Sequence, residues 1–186
     1  MKEKFKKFDD YLIDLINIRM HRRYLNTIMH RATNLGGAVF SSALVLVLIG
    51  IGSSHTKILG IKCLVALFIS QIIVHSLKRL LSRERPYKIL EHLNTFGINL
   101  KDYSFPSGHT AASFSIATTI SLTIPRLTIV VITIAIIVGI SRIYLGVHYP
   151  TDVAAGIIFG TLPSLVVHFY LIELIYKLGN IIGIKL

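Results

Sequence analysis

Charge is what this sequence has least of. Of 186 residues only 16% are Asp, Glu, Lys or Arg, against about 25% in an ordinary soluble domain. That excludes a soluble enzyme built around one core. Acids are scarcer still, nine against 20 Lys and Arg for a net charge of +11, so an acidic disordered chain is excluded as well. The one cysteine, Cys63, lies in an apolar run, which rules out an intrachain disulfide and any multi-cysteine zinc site. Internal repeats and low-complexity tracts are missing too, and the length suits one domain.

What is present is apolar length: 53% of residues are hydrophobic and the mean hydropathy is +0.66. Positions 35–56 carry no charge at all, and about 20 such residues in a helix cross a hydrocarbon core of roughly 30 Å. A second run, 58–77, is interrupted only by Lys62. From Ser104 to Ile172 the only charged residues are Arg126, Arg142 and Asp152, which leaves room for crossings near 108–124, 127–144 and 153–175. The pattern predicts an all-α integral membrane bundle of about five transmembrane helices. The segment after Gly108 is short and rich in Ser and Thr, so its outer face is expected to pack on other helices rather than lipid.

The first 31 residues are too charged for the core of a signal peptide. Phe5, Phe8, Leu12, Leu15 or Ile16, and Ile18 or Met20 recur near helical spacing between Lys and Arg. That pattern suits a helix lying in the membrane surface with its basic face toward anionic headgroups, or a helix packed on the bundle with a solvated face. The chain therefore divides into a basic amphipathic segment, 1–31, and a membrane-embedded domain, 32–186.

Ionisable residues at membrane-helix ends are functional candidates by default. In an up-and-down bundle the end of one helix and the start of the next share a face. The helix count alone therefore puts Lys78, Arg85, His109, Arg142, His148 and Asp152 at one mouth. Three cations and two histidines around one carboxylate favour an anion, because Mg²⁺ and Ca²⁺ want several oxygen ligands. Arg can clamp a phosphate through two hydrogen bonds while Lys acts as a point charge. Pro106, Ser107 and Gly108 open a helix whose first amides lack internal partners and can take phosphate oxygens. Asp152, four residues after His148, can reach back to one imidazole nitrogen and leave the other as nucleophile or base. His109, on another helix, can protonate a leaving group.

Those residues fall into three strings. Residues 78–86 read KRLLSRERP, fitting K-x6-R-P; 106–109 read PSGH; and 141–152 read SRIYLGVHYPTD, fitting S-R-x5-H-x3-D. Together they resemble the type-2 phosphatidic acid phosphatase family, membrane lipid phosphatases related to vanadium haloperoxidases and bacterial acid phosphatases. With the flanking helices the resemblance runs from about residue 34 to 176. It implies a metal-free, cofactor-free enzyme that hydrolyses a lipid phosphate or diphosphate. Candidates are undecaprenyl diphosphate, phosphatidylglycerol phosphate and phosphatidate. Lys78, Arg85 and Arg142 would bind phosphate with Ser107 and the Gly108 amide. His148 would form a phosphohistidine, Asp152 would orient it, and His109 would protonate the leaving oxygen. In larger members of the family a sixth membrane helix comes first; here the charged amphipathic segment takes its place.

Other readings stand beside these. His109, His148 and Asp152 could form a two-histidine, one-carboxylate metal site, giving a metal-dependent hydrolase, and the same mouth could hold anionic headgroups without chemistry. Arg79 and Arg83 read as interfacial anchors, His75 and His168 as packed core histidines, Tyr144 and Tyr149 as interfacial aromatics, and Gly156 with Gly160 as a helix-packing pair. The expected partners are the bilayer and a lipid phosphate; the basicity gives no support for nucleic acid. Small size, with neither glycosylation-rich loops nor targeting extensions, fits a bacterial cell membrane. Counted by helix ends, 15 of the 20 basic residues share the side of the mouth. By the positive-inside rule that side is cytoplasmic, whereas the resemblance implies the outer face.

Overall fold

The computed structural model describes residues 2–51 and 53–181, and among them every regular element is helical. The helices are α1 (Lys2–Ile13), α2 (Arg23–Asn34), α3 (Ala38–Ile51), α4 (Ser54–Leu81), α5 (Pro86–Ile89), α6 (Gly108–Thr123), α7 (Thr128–Tyr144), α8 (Pro150–Tyr170) and α9 (Ile172–Ile181). A π-helical stretch, Asp14–Arg19, follows α1, and a 3₁₀ turn, Pro125–Leu127, precedes α7.

The chain is a multi-pass membrane protein, and its helices differ in detail from five equal crossings. Among the described residues three runs are long and apolar enough to span: Ser54–Ile89, Pro125–Tyr144 and Pro150–Tyr170. The uncharged run 35–56 is not one helix. It breaks at Gly36 and Gly37, and α3 forms with α2 a pair bent by 50° that counts as a fourth span if taken as one. The cause of the break is close approach. A Cβ on Gly36 would stand 2.6 Å from Val138 Cγ1 and 2.8 Å from the His109 carbonyl, so the chain turns where α2 hands over to α3 against α6 and α7. The expected crossing at 153–175 likewise ends at Tyr170, and α9 starts after a bend at Leu171.

Helix α6 is the axis of the bundle. Its 16 residues rise about 24 Å, short of a roughly 30 Å hydrocarbon core, and it packs against α3, α4, α7 and α8. Every residue from Thr110 to Thr119 is buried. Small Ser, Thr and Ala side chains allow that burial on all sides, and hydroxyls such as those of Thr119 and Ser121 turn back onto carbonyls four residues earlier. Gly156 and Gly160 of α8 bring the backbones together. A Cβ on Gly160 would lie 2.4 Å from the Ala111 carbonyl, and one on Gly156 would lie 2.8 Å from that of Ser107. The pair is the packing device its spacing suggests.

The amino-terminal segment packs onto the bundle and also presents an apolar outer face. Asp9, Ile13 and Asn17 point inward, each 1% exposed or less, while Phe8 and Tyr11 are more than half exposed. Asn17 donates to the carbonyls of Asn94 and Tyr144 and accepts from the Asn94 amide. These bonds tie the segment to the polar connection between α4 and α6. The inward stripe is thus partly polar.

Candidate functional site

Three helix ends and the loops between them meet at one mouth of the bundle. Lys78 closes the last turns of α4, and Arg85 precedes α5. His109 is in the first turn of α6, Arg142 is in the last turn of α7, and His148 lies between α7 and α8. All five line one cavity of about 320 Å³, along with Asp102 and Gly108. One wall is apolar, made by Ala38, Leu67, Val74, Leu100 and Ala112. Of the six ionisable residues expected at one mouth, these five line the cavity and Asp152 does not.

The cations are buried: Lys78, Arg85 and Arg142 are 6%, 2% and 4% exposed. Arg85 is clamped from several sides. Its Nε donates to the Asp102 carbonyl (2.9 Å), its Nη1 to the Val147 carbonyl (2.8 Å) and its Nη2 to Asp102 Oδ1 (2.6 Å). Lys78 Nζ donates to Asp102 Oδ2 and to the Tyr103 carbonyl, both at 2.6 Å. Arg142 donates through Nη1 to Thr33 Oγ1 of α2, while its Nε is buried without a partner. A buried guanidinium with a spare donor is costly unless an acceptor arrives.

Asp102 is the member of this cluster that sequence reasoning passed over as part of a polar connection. Its carboxylate bridges Lys78 and Arg85 from a half-exposed position. Burial works against its ionisation, but the hydrogen bond from Lys78 and the charges of Arg85 and Lys78 outweigh it and hold the carboxyl well below the usual range. The signal for it was faint: an acid four residues before the PSGH string.

His148 is 1% exposed. Burial, then the charges of Arg142, Arg85 and Lys78, push its imidazole well below the ordinary value, so it is neutral at pH 7. Arg85 Nη1 stands 3.3 Å from Nε2, which marks Nε2 as an acceptor with its lone pair turned to the cations. Nδ1, on the other side, is 3.6 Å from Asp152 Oδ2 and 3.5 Å from Ser104 Oγ. The carboxylate is adjacent to the ring but not in a tight bond with it. Its short partners are others. Oδ2 accepts from the Ser104 hydroxyl and from the Tyr149 amide (2.9 Å), and Oδ1 accepts from Arg83 (2.6 Å). Pro150 opens α8 and the Tyr149–Asp152 pair forms its capping box, which is why the carboxylate is held at this depth.

Ser107 and Asp152 do not line the cavity. The Ser107 amide donates to the Asp152 carbonyl (3.0 Å), and its hydroxyl accepts from Thr110 (2.9 Å), so Ser107 joins the α6 start to α8. The two-histidine, one-carboxylate metal reading has its donors apart, because Asp152 lies behind His148. Among the described residues no three His, Cys, Asp or Glu side chains are gathered to hold a metal ion.

Three further expectations change. Arg83 is not an interfacial anchor; it contacts Asp152, Thr151 and Asp9. Tyr149 and Tyr144 are buried rather than interfacial, and Tyr149 lies with its ring 3.9 Å under the Arg83 guanidinium. His75 is exposed and lines the outer part of the cavity rather than the core.

The model of the PAP2 superfamily matches residues 59–174. Among curated proteins the chain is 36% identical over 115 residues to the bacitracin transport permease protein BcrC of Bacillus licheniformis. It is 32% identical over 108 residues to the undecaprenyl-diphosphatase of Sulfolobus acidocaldarius. These matches cover 62% and 58% of this chain and 57% and 52% of the relatives, so the chain spans about half the length of these curated relatives. It is 30% identical to phosphatidylglycerophosphatase B of Bacillus subtilis over 82% of this chain and 78% of that one. The crystal structure of Aquifex aeolicus LpxE superposes with a TM-score of 0.76 at 30% identity, covering 86% of this chain and 94% of that one.

Proposed function

The chain belongs to the PAP2 superfamily, and we propose that it is an integral membrane phosphatase acting on a lipid phosphate or diphosphate. The observation that carries the proposal is the convergence of three buried cations and a neutral imidazole on one cavity with an apolar wall. Phosphate complements the cations, and a lipid chain complements the wall.

In the proposed reaction Lys78, Arg85, Arg142 and the first-turn amides at Gly108 hold the phosphoryl oxygens. The lone pair on His148 Nε2 attacks phosphorus as the bond to the lipid-side oxygen breaks. His109 gives its proton to that oxygen, so the leaving group departs neutral at that atom. The imidazole becomes cationic as the N–P bond forms, and Asp152 behind Nδ1 stabilises that charge. A water then attacks phosphorus, His109 takes its proton, the N–P bond breaks, and inorganic phosphate leaves. Ser107 acts by fixing the start of α6 to α8.

The candidate substrates are undecaprenyl diphosphate, phosphatidylglycerol phosphate and phosphatidate, the first two in keeping with what the relatives' names say of those proteins. Purified protein is expected to release phosphate from at least one of the three in detergent, in the presence of chelator and with inhibition by vanadate. His148→Ala should lower turnover by at least about 1,000-fold. Full activity in that variant would overturn the nucleophile. Activity abolished by chelator and restored by zinc would replace the proposal with a metal-dependent hydrolase, and binding without release would replace it with a headgroup-binding protein. We place the mouth on the outer face of a bacterial cell membrane, on the family resemblance and against the count of basic residues. Impermeant labelling of single cysteines at positions 55 and 92, in a background lacking Cys63, decides the face.

A further inference from the structure

Nine acidic residues serve this entire chain, and Asp9 is one that the amino-terminal segment buries completely. A carboxylate does not leave water without a partner. Asp9 has several: Oδ2 accepts from Arg83 Nη2 (2.8 Å) and the Thr151 hydroxyl (2.6 Å), and Oδ1 accepts from the Thr151 amide (2.9 Å). Arg83 reaches on through Nη1 to the Thr151 hydroxyl (2.8 Å) and to Asp152 Oδ1 (2.6 Å), with its plane over Tyr149. None of Asp9, Arg83, Tyr149, Thr151 and Asp152 lines the cavity.

Resting on the phosphatase reading above, we propose that Arg83, clamped by Asp9, is a positioning residue that fixes Asp152 behind His148, and that helix α1 is thereby a working part of the site. Among the described residues Asp152 Oδ2 is occupied by Ser104 and the Tyr149 amide, and Oδ1 only by Arg83. Without Arg83 the fully buried carboxylate loses its single cationic partner and the bond that sets its rotation. The cost falls on the step in which His148 becomes cationic, because an ionised, correctly turned Asp152 is what stabilises that charge. Phosphate binding is spared, since Lys78, Arg85 and Arg142 do not touch Arg83. Asp9 adds the second anchor: a guanidinium held on both forks cannot swing, and Arg83 is otherwise one-third exposed. Lysine, with one compact charge, can replace only part of this arrangement.

The test is a kinetic cycle on full-length protein in detergent, with the best lipid of the panel as substrate. Arg83→Ala is expected to lower kcat by about 30- to 100-fold, with KM and the inhibition constant of inorganic phosphate within about threefold of wild type. Arg83→Lys should recover part of the loss, and Asp9→Asn should lower kcat by about 5- to 10-fold. In the Arg83→Ala background Asp9→Asn should cost less than about threefold more, because its effect passes through Arg83. Unchanged kcat in Arg83→Ala, or fully multiplicative losses, would overturn the proposal. A matched rise in KM and in the phosphate inhibition constant would make Arg83 a phosphate ligand instead. ¹⁵N-histidine spectra keep the question open to refutation if the wild type releases phosphate from no lipid, which is the separate failure of the phosphatase reading. The His148 Nδ1 resonance should move in Arg83→Ala and Asp9→Asn but stay in the exposed-neighbour variant Arg79→Ala. A stationary resonance in all three would refute the positioning role, and melting temperatures in detergent identify any variant that has simply unfolded.

Discussion

Asp102 holds two of the cations proposed to bind phosphate, and removing its charge is the most informative single perturbation of the site. Its two oxygens are each 2.6 Å from a cation, one from Lys78 and one from Arg85. Charge-assisted hydrogen bonds of this kind are worth roughly 1.5–3 kcal/mol each when buried. Asp102 is 54% exposed on its side chain, and exposed pairs are worth only about 0.2–1 kcal/mol, so the pair of contacts is discounted to about 1–2 kcal/mol in all. A phosphoryl group must displace them before it can reach the same donors. Asp102→Asn keeps the shape and removes the charge, so inorganic phosphate or vanadate should bind about 5- to 30-fold more tightly. The same change leaves two buried cations without their counter-charge. The apo protein should therefore melt at a lower temperature and regain the loss on adding phosphate, which binds only the folded state. Titration calorimetry or inhibition kinetics reads the first effect and thermal unfolding in detergent reads the second. Weaker anion binding in Asp102→Asn would refute the reasoning, because it would mean that Asp102 organises Lys78 and Arg85 for phosphate instead of competing with it.

Arg142→Lys should raise KM about tenfold, roughly 1.4 kcal/mol, because an ammonium cannot both keep Thr33 and offer the spare guanidinium donors; an unchanged KM would remove Arg142 from the phosphate set. Gly160→Ala should destabilise by about 1–3 kcal/mol, since its Cβ meets the Ala111 carbonyl at 2.4 Å. Gly50→Ala, whose Cβ meets nothing within 4 Å, should be neutral or stabilising by about 0.5–1 kcal/mol. Equal melting temperatures for these two variants would contradict the α6–α8 packing. His148 has its imidazole pushed well below the ordinary value by burial and by Arg142, Arg85 and Lys78. A lowered value means the ring stays unprotonated as pH falls through the normal histidine range, so its ¹⁵N shifts should still report a neutral ring at pH 6. A charged His148 at that pH would show the cavity to be wetter than its burial implies.

The sequence exposed the frame of the site because the physics there is one-dimensional. Uncharged runs mark crossings, and charges at their ends fall on alternate faces, so Lys78, Arg85, His109, Arg142 and His148 could be gathered without any contact being known. It failed where an interaction depends on which way a side chain turns. Arg79 and Arg83 are indistinguishable as charges beside a helix end, yet the left-handed turn at Ser82 ends α4 between them, and Arg83 faces Asp152 while Arg79 stays exposed. Asp102 looked like one polar loop residue among several, because nothing local says that a loop folds its carboxylate back onto Lys78. In the uncharged run 35–56, hydropathy is blind to the break at Gly36, whose cause is the surface of α6 and α7 across the gap.

The same limits explain how the basic amino terminus relates to the site. Read as composition, its charges suit headgroups or a solvated face of a helix packed on the bundle. The structure adds polar contacts on the inward side. Lys6, Lys7, Phe8 and Tyr11 of α1 face outward, and the segment is held by the polar residues that spoil its amphipathic pattern, Asp9 and Asn17, each with polar partners elsewhere in the bundle. A surface helix held by apolar contact alone could slide, since lipid and protein are nearly equivalent to its apolar face. A buried carboxylate and a buried amide cannot slide, because each loses its partners within a fraction of an ångström. The residues that weaken the amino-terminal segment as a membrane helix are therefore the ones that fix its register, and fixing that register sets the position of Arg83 against Asp152.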